Sequence, residues 1–93
     1  MLRACIKLSV EDQPKNVSHV LEFSDGTSLQ TLVNMGIKKA KWTDKRFALV
    51  MAKAFDPAMN LYVEIASSAD TILVEHMQRF EILLKEEVSN WKL

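Results

Sequence analysis

The stretch that decides the fold prediction is residues 2–10, with the sequence LRACIKLSV. Apolar side chains occupy every second position, and mostly polar side chains stand between them. The apolar positions are Leu2, Ala4, Ile6, Leu8 and Val10. A period of two is typical of a strand with one buried face. The chain is therefore predicted to open with a strand that has one face in the core.

A second alternating stretch follows a polar turn. Residues 11–16 include Pro14 and lack an apolar run, which indicates a turn. The next apolar face, through residue 24, consists of Val17, His19, Leu21 and Phe23. Two alternating strands joined by a short turn are expected to pair antiparallel.

Two continuations remain open after Asp25-Gly26. One is a tight Asp-Gly hairpin into a third strand over residues 27–33. The other is a short helix with Thr27 or Ser28 as its N-cap and Gly36 as its C-terminal stop. The apolar face of such a helix comprises Leu29, Leu32 and Val33. We favour the helix because these three residues have helical spacing.

Another helix is predicted over residues 44–55, with Thr43 as its N-cap. Its apolar residues follow the i, i+3, i+4, i+7, i+8 spacing of an amphipathic helix. They are Phe47, Val50, Met51, Ala54 and Phe55. Pro57 ends this helix, and residues 61–65 then alternate as a further strand.

The strongest helical pattern covers residues 68–91. Ser67 with Asp70 three residues later resembles a capping box, and Glu81 with Lys85 forms an i,i+4 pair in the favourable orientation. The apolar stripe comprises Ile72, Leu73, Met77, Phe80, Leu83, Leu84, Val88 and Trp91. A long amphipathic helix is therefore expected to close the chain.

The predicted order of elements is ββααβα. It corresponds to a single α+β domain over residues 1–93, with a three-stranded sheet and helices packed on one face. The sheet gains a fourth strand if residues 27–33 are extended. The opening hairpin followed by a helix resembles the opening of a β-grasp domain over about the first third of the chain. This resemblance concerns the order of elements and implies no function.

Composition favours a folded protein of a reducing compartment. Hydrophobic residues make up 48% of the chain and charged residues 26%, as in ordinary globular domains. Cys5 is the only cysteine, so we expect no internal disulfide and a cytoplasmic or nuclear location. No apolar run approaches the length of a membrane helix or of a signal-peptide core, so no contact with a membrane is predicted.

The sequence lacks a recognisable catalytic constellation. His19 lies between apolar neighbours, His76 has no second ligand four residues on, and Cys5 has no identifiable base. The two glycines, Gly26 and Gly36, cannot build a phosphate-binding loop. We therefore predict no enzymatic activity, cofactor or metal. An enzyme that borrows residues from another chain is the third-ranked hypothesis.

The net charge is zero, but residues 38–53 contain six basic residues against Asp44 alone. The part of this stretch that we call the basic segment consists of Lys38, Lys39, Lys41, Trp42, Lys45 and Arg46. Cations around an aromatic ring are typical of surfaces that bind phosphates and stack bases. Lys45 and Arg46 also fall in the first turn of the helix predicted after Thr43, where the helix dipole disfavours cations. Residues that are unfavourable for the local structure are concentrated at functional sites. The alternative is a set of solvated lysines beside a tryptophan that packs on the core.

The predicted C-terminal helix is longer than the strands on which it would lie. Some 22 helical residues span about 33 Å, whereas an eight-residue strand spans about 27 Å, so the helix end should project. The candidate protein interface at this end comprises Phe80, Leu84, Val88 and Trp91. We therefore predict a non-enzymatic protein–protein interaction module, an adaptor or complex subunit, that binds a protein partner or its own copy through this helix. Nucleic-acid binding by the basic segment is the alternative.

Overall fold

Five strands and one helix form the regular structure of the residues that the computed structural model describes, which are 1–65 and 69–87. The elements are β1 (Leu2–Val10), β2 (Asn16–Phe23), α1 (Leu29–Lys39), β3 (Arg46–Asp56), β4 (Leu61–Glu64) and β5 (Arg79–Glu87). The strands form one mixed sheet in the order β2-β1-β5-β3-β4. β1 and β5 pair in parallel, whereas all other neighbours pair antiparallel.

The predicted opening hairpin and the helix that follows it are confirmed. β1 and β2 pair antiparallel, with Ile6 opposite His19. Ser28 is the N-cap of α1, and its Oγ accepts a hydrogen bond of 3.2 Å from the backbone N–H of Thr31. The alternative strand over residues 27–33 is therefore wrong. The strand predicted after Pro57 is also confirmed, as β4.

Gly36 does not end the helix, contrary to the prediction. α1 continues to Lys39, and the chain leaves it through Lys41, which has a φ of 64°. Gly36 is buried against β1, where an added Cβ would lie 3.2 Å from Leu8 Cδ1. The missing side chain therefore allows α1 to approach β1 closely.

The predicted order ββααβα is wrong, because the observed order is ββαβββ. Residues 46–56 form β3 instead of part of a helix over 44–55. The described part of the predicted helix over 68–91 consists of turns followed by β5. The sheet thus has five strands instead of three or four, and α1 is the only helix within residues 1–65 and 69–87.

The segment 69–78 joins the start of α1 to the sheet. The backbone N–H of Leu29 donates to the carbonyl oxygen of Ile72 at 2.8 Å. Farther along, the backbone N–H of Met77 donates to the carbonyl oxygen of Arg3 at 2.6 Å. These bonds attach the segment to the first residue of α1 and then to β1, beside which β5 begins.

The core lies between α1 and one face of the sheet, with α1 over β1 and β2. Its buried members are Ala4, Ile6, Leu8, Leu21, Phe23, Leu29, Leu32, Val33, Ala52, Ala69, Val74, Phe80, Ile82 and Leu84. The helix in the described part of the chain lacks the length and apolarity needed to span a membrane.

Candidate functional site

The first half of the basic segment lies at the end of α1. Lys38 and Lys39 belong to its last turn, where the helix dipole favours cations. No helix begins after Thr43, because residues 43–45 form a turn that leads directly into β3. Lys45 and Arg46 therefore do not oppose a helix dipole, and this argument for an anion site is wrong.

The second half of the basic segment faces carboxylates of the same chain. Lys45 Nζ lies 2.8 Å from Oε1 of Glu86 on β5. The hydrogen bond to Glu86 and its negative charge raise the pKa of Lys45. Arg46, the first residue of β3, stands opposite Glu87 in the sheet register. Lys45 is thus paired with a carboxylate, and Arg46 lies in register with a second one.

Trp42 packs on the molecule rather than standing free in solvent. Its ring centroid lies 5.7 Å from that of Phe47, and the side chain is partly buried against the core. The Nζ of Lys15, from the turn between β1 and β2, lies 5.9 Å from the centroid of the Trp42 ring. The sequence did not indicate Lys15 as a member of this basic end of the molecule.

The C-terminal interface predicted on a helix does not form in that way. Phe80 and Leu84 lie on β5, are each 1% exposed, and belong to the core beneath α1. Because β5 lies in the middle of the sheet, alternate side chains point into the core. Val88 and Trp91, the other two members of that interface, lie outside the described residues.

The histidines and the cysteine occupy three different settings. His19 is partly buried on β2, and its Nε2 has no hydrogen-bond partner among the described residues. Nδ1 of His76 accepts a hydrogen bond of 3.0 Å from the backbone N–H of Arg3. Cys5 is a partly buried free cysteine on β1. No three His, Cys, Asp or Glu side chains within 1–65 and 69–87 are placed to bind a metal together.

The sheet face opposite α1, which we call the open face, is not covered by any element in the described ranges. The pairing registers place alternate residues of all five strands on it, and none of these is fully buried. They are Arg3, Cys5, Lys7, Ser9, Asn16, Ser18, Val20, Glu22, Arg46, Ala48, Met51, Lys53, Phe55, Tyr62, Glu64, Arg79, Glu81, Leu83, Lys85 and Glu87. An uncovered face that includes apolar and aromatic side chains is a typical binding surface.

A cation and two aromatic rings form a cluster across β5, β3 and β4, which we call the Arg-aromatic cluster. The guanidinium carbon of Arg79 lies 4.3 Å from the ring centroid of Phe55 and 5.9 Å from that of Tyr62. The two rings meet edge to face with centroids 5.2 Å apart. Arginine attracts aromatic faces, and both residue types are enriched in protein interfaces.

An apolar hollow of about 280 Å³ lies beside this cluster. Its lining includes Cys5, Val20 and Met77, with Arg3 and Arg79 contributing as well. Val20 is 58% exposed and Met77 is 69% exposed. The hollow can accept an apolar side chain of a partner. Arg3 already pairs with Glu22, with 3.6 Å between Nε and Oε2, and Arg79 can bind a neighbouring carboxylate.

Charges alternate along the next row of side chains across the open face, which we call the charged row. Lys7, Glu81, Lys53 and Glu64 are successive neighbours on β1, β5, β3 and β4. None of the four forms an ion pair of 4.0 Å or less within the described residues. A shallow depression of about 170 Å³ lies among the first three of them. These charges therefore remain accessible to a partner.

Sequence reasoning missed the whole Arg-aromatic cluster. Phe55 was assigned to the apolar face of a helix, and residue 79 lay within the helix predicted over 68–91. The sequence does contain one signal for the two rings, because Phe55 and Tyr62 lie at equal distances from the turn 57–60. If residues 46–56 form a strand, this symmetry makes the two residues a cross-strand pair.

No protein-family model matches this chain, and no curated protein matches its sequence. The chain is similar in fold to a chain in the crystal structure of the BILBO2/FPC4 complex, with a TM-score of 0.57. That similarity covers 90% of this chain and 80% of the other, at 16% sequence identity. At this identity the likeness concerns the fold alone.

Proposed function

We propose that this chain is a non-enzymatic interaction module, an adaptor or complex subunit, that binds a protein partner through the open face. The observation on which this depends is the Arg-aromatic cluster beside the apolar hollow, on a sheet face that no described element covers. Arginine and aromatic anchors next to an apolar pocket are the usual composition of interaction hot spots. The proposal replaces the helix end as the contact surface and retains the predicted class of function.

The structural neighbour supports this class of function. It comes from a complex of two proteins, BILBO2 and FPC4, so a similar fold occurs in a protein that assembles with another.

A glutamate placed in the apolar hollow is expected to abolish partner binding. The variants are Val20→Glu and Met77→Glu, which introduce a charge that a partner's apolar side chain would have to desolvate. We expect the amount of protein captured from the native cell to fall at least about tenfold relative to the parent chain. The measurement is affinity capture with quantitative mass spectrometry, after circular dichroism has shown that each variant is folded.

Two matched variants serve as controls. Val63→Glu changes a valine of similar exposure, 45%, on the opposite sheet face, and Met59→Glu changes a methionine, 64% exposed, in the turn after β3. Both should retain the captured proteins. Equal capture by all four variants would contradict binding through the open face.

The alternative function is binding of nucleic acid at the basic end. The supporting observation is that Lys15 joins Trp42 from another part of the chain, so that exposed lysines from two segments meet there. The triple variant of Lys38, Lys39 and Lys41 to glutamate should then weaken binding of a mixed single-stranded oligonucleotide more than about tenfold at low salt. Fluorescence anisotropy between about 50 and 200 mM salt would measure this loss.

A triple variant of the same charge change on the open face, at Lys7, Lys53 and Lys85, is the control and should bind as the parent does. An oligonucleotide affinity that is unchanged in the first variant would exclude this alternative.

A further inference from the structure

The charged row has a pattern that is complementary to itself. Read across β1, β5, β3 and β4, its charges are positive, negative, positive and negative. Reversing the order of the four strands gives the opposite sequence of signs. Opposite charges therefore meet when this row faces a copy of itself turned around an axis that runs parallel to the strands midway between β3 and β5.

We propose that a second copy of this chain packs on the open face, related by a twofold axis that runs parallel to the strands between β3 and β5. This proposal rests on the proposed function, in which the open face is the contact surface, and it adds a second copy of the chain to the partners that this face binds. The axis exchanges β1 with β4 and β5 with β3. Lys7 then faces Glu64 of the second copy, and Glu81 faces Lys53 of the second copy. Each contact occurs twice, as an isologous interface requires.

The charges also distinguish this arrangement from the other simple face-to-face dimer. A twofold axis perpendicular to the strands would keep each strand opposite itself. Lys7 would then face Lys7 of the second copy, and Glu81 would face Glu81. Like charges brought together in an interface suppress association, so the charged row selects the axis parallel to the strands.

The neighbouring rows agree with the same axis. Leu83 and Met51 are paired across β5 and β3, so the axis places Leu83 of one copy opposite Met51 of the other. Arg79 of one copy likewise faces Phe55 of the other. Apolar side chains therefore meet apolar side chains, and a guanidinium meets an aromatic face.

The size of the open face sets the expected strength of the dimer. Four strands about 4.8 Å apart and eight residues of about 3.3 Å each give a contact area of roughly 500 Å². A standard stable interface buries about 800 Å² per partner. We therefore expect a weak dimer, with a dissociation constant between about 10 µM and 1 mM. β2 has no strand opposite it in this arrangement, so Val20 remains outside the contact.

The test uses two charge-reversal variants, each of which should weaken dimerisation alone, whereas a mixture of the two should form dimers again. Lys7→Glu places two glutamates opposite each other at both ends of the row, and Glu64→Lys does the same with two lysines. Both positions are exposed, which limits the effect on folding. Each variant alone should dimerise at least about tenfold more weakly than the parent.

An equimolar mixture of the two variants should restore the dimer. In the heterodimer, the carboxylate introduced by Lys7→Glu in one copy faces the ammonium group introduced by Glu64→Lys in the other. The unchanged Glu64 of the first copy faces the unchanged Lys7 of the second, so both ends of the row carry opposite charges again. Heterodimers should therefore form with an affinity within about threefold of the parent.

Sedimentation equilibrium under reducing conditions, up to about 1 mM chain, measures these constants. Lys38→Glu on α1 and Val63→Glu on the opposite sheet face are the controls and should dimerise as the parent does. A parent chain that stays monomeric at the highest concentration would overturn the proposal, as would single variants that dimerise normally or a mixture that does not recover.

The two proposals fail separately. A monomeric parent whose captured proteins are lost in Val20→Glu would overturn the self-association and leave the proposed function intact. A monomeric parent whose captured proteins persist in Val20→Glu and Met77→Glu would overturn both.

Discussion

Replacing Phe80 by alanine is expected to lower the free energy of unfolding by about 3–5 kcal/mol. Phe80 is 1% exposed and stands between Ile6 on β1 and Ala54 on β3. Removal of its ring would leave a cavity in the core that neighbours on two strands cannot fill without breaking their pairing. Urea titration followed by circular dichroism would measure the loss.

Phe55→Ala is the matched control, because Phe55 is an aromatic of the same sheet on the open face. We expect it to cost less than half as much, since its ring is only partly buried. If Phe80 instead lay on the exposed stripe of a helix, as its spacing in the sequence suggests, the alanine variant would keep its stability within about 1 kcal/mol. That result would contradict the position of β5.

The part of the fold that could be predicted from the sequence is the part in which neighbours in the chain are neighbours in space. β1 and β2 alternate cleanly because one face is buried under α1 and the other is open, and the short turn leaves antiparallel pairing as the simple arrangement. Ser28 precedes an apolar helical face, which is sufficient to place the start of α1.

β3 was mistaken for a helix because its alternation is interrupted. The pairing register with β5 shifts between Leu49 and Met51, which leaves Val50 as an extra residue on one strand. Such a bulge changes the period of two into a single step of three. Apolar side chains on both faces of β3 then fall at spacings that also fit a helix, and local periodicity cannot separate the two.

β5 was missed for a different reason. It is the central strand, and it pairs with β1 in parallel from more than 70 residues away in the chain. Its structure is therefore determined by distant partners, whereas its own sequence has helical features such as Glu81 with Lys85. In a strand these two residues lie on the same face but roughly 13 Å apart, so no local pair forms.

The candidate site could be predicted only in part for the same physical reason. The basic segment is continuous in sequence and was recognised directly. The Arg-aromatic cluster joins β3, β4 and β5, and its members come together only through the sheet order. A surface assembled from three strands is visible only once the strand pairing is known, and two of these strands were assigned to helices.

Gly36 provides the second test of how α1 meets the sheet. As a C-terminal stop it would adopt a positive φ, and any side chain there would be penalised about equally by backbone strain. In the structure it lies within α1, and an added Cβ would meet Leu8 Cδ1 at 3.2 Å and Ile6 Cγ2 at 3.4 Å. The limiting factor is therefore space against β1, which depends strongly on the size of the substituted side chain.

We expect Gly36→Ala to change the free energy of unfolding by less than about 1 kcal/mol, because the gain in helix propensity offsets a small displacement of the Leu8 methyl group. Gly36→Leu should lower it by about 3 kcal/mol, because three further carbon atoms would have to enter the contact between α1 and β1. Paired urea titrations of the two variants measure the difference. A similar loss of about 1 kcal/mol in both would indicate a strained helix end rather than a close helix–sheet contact.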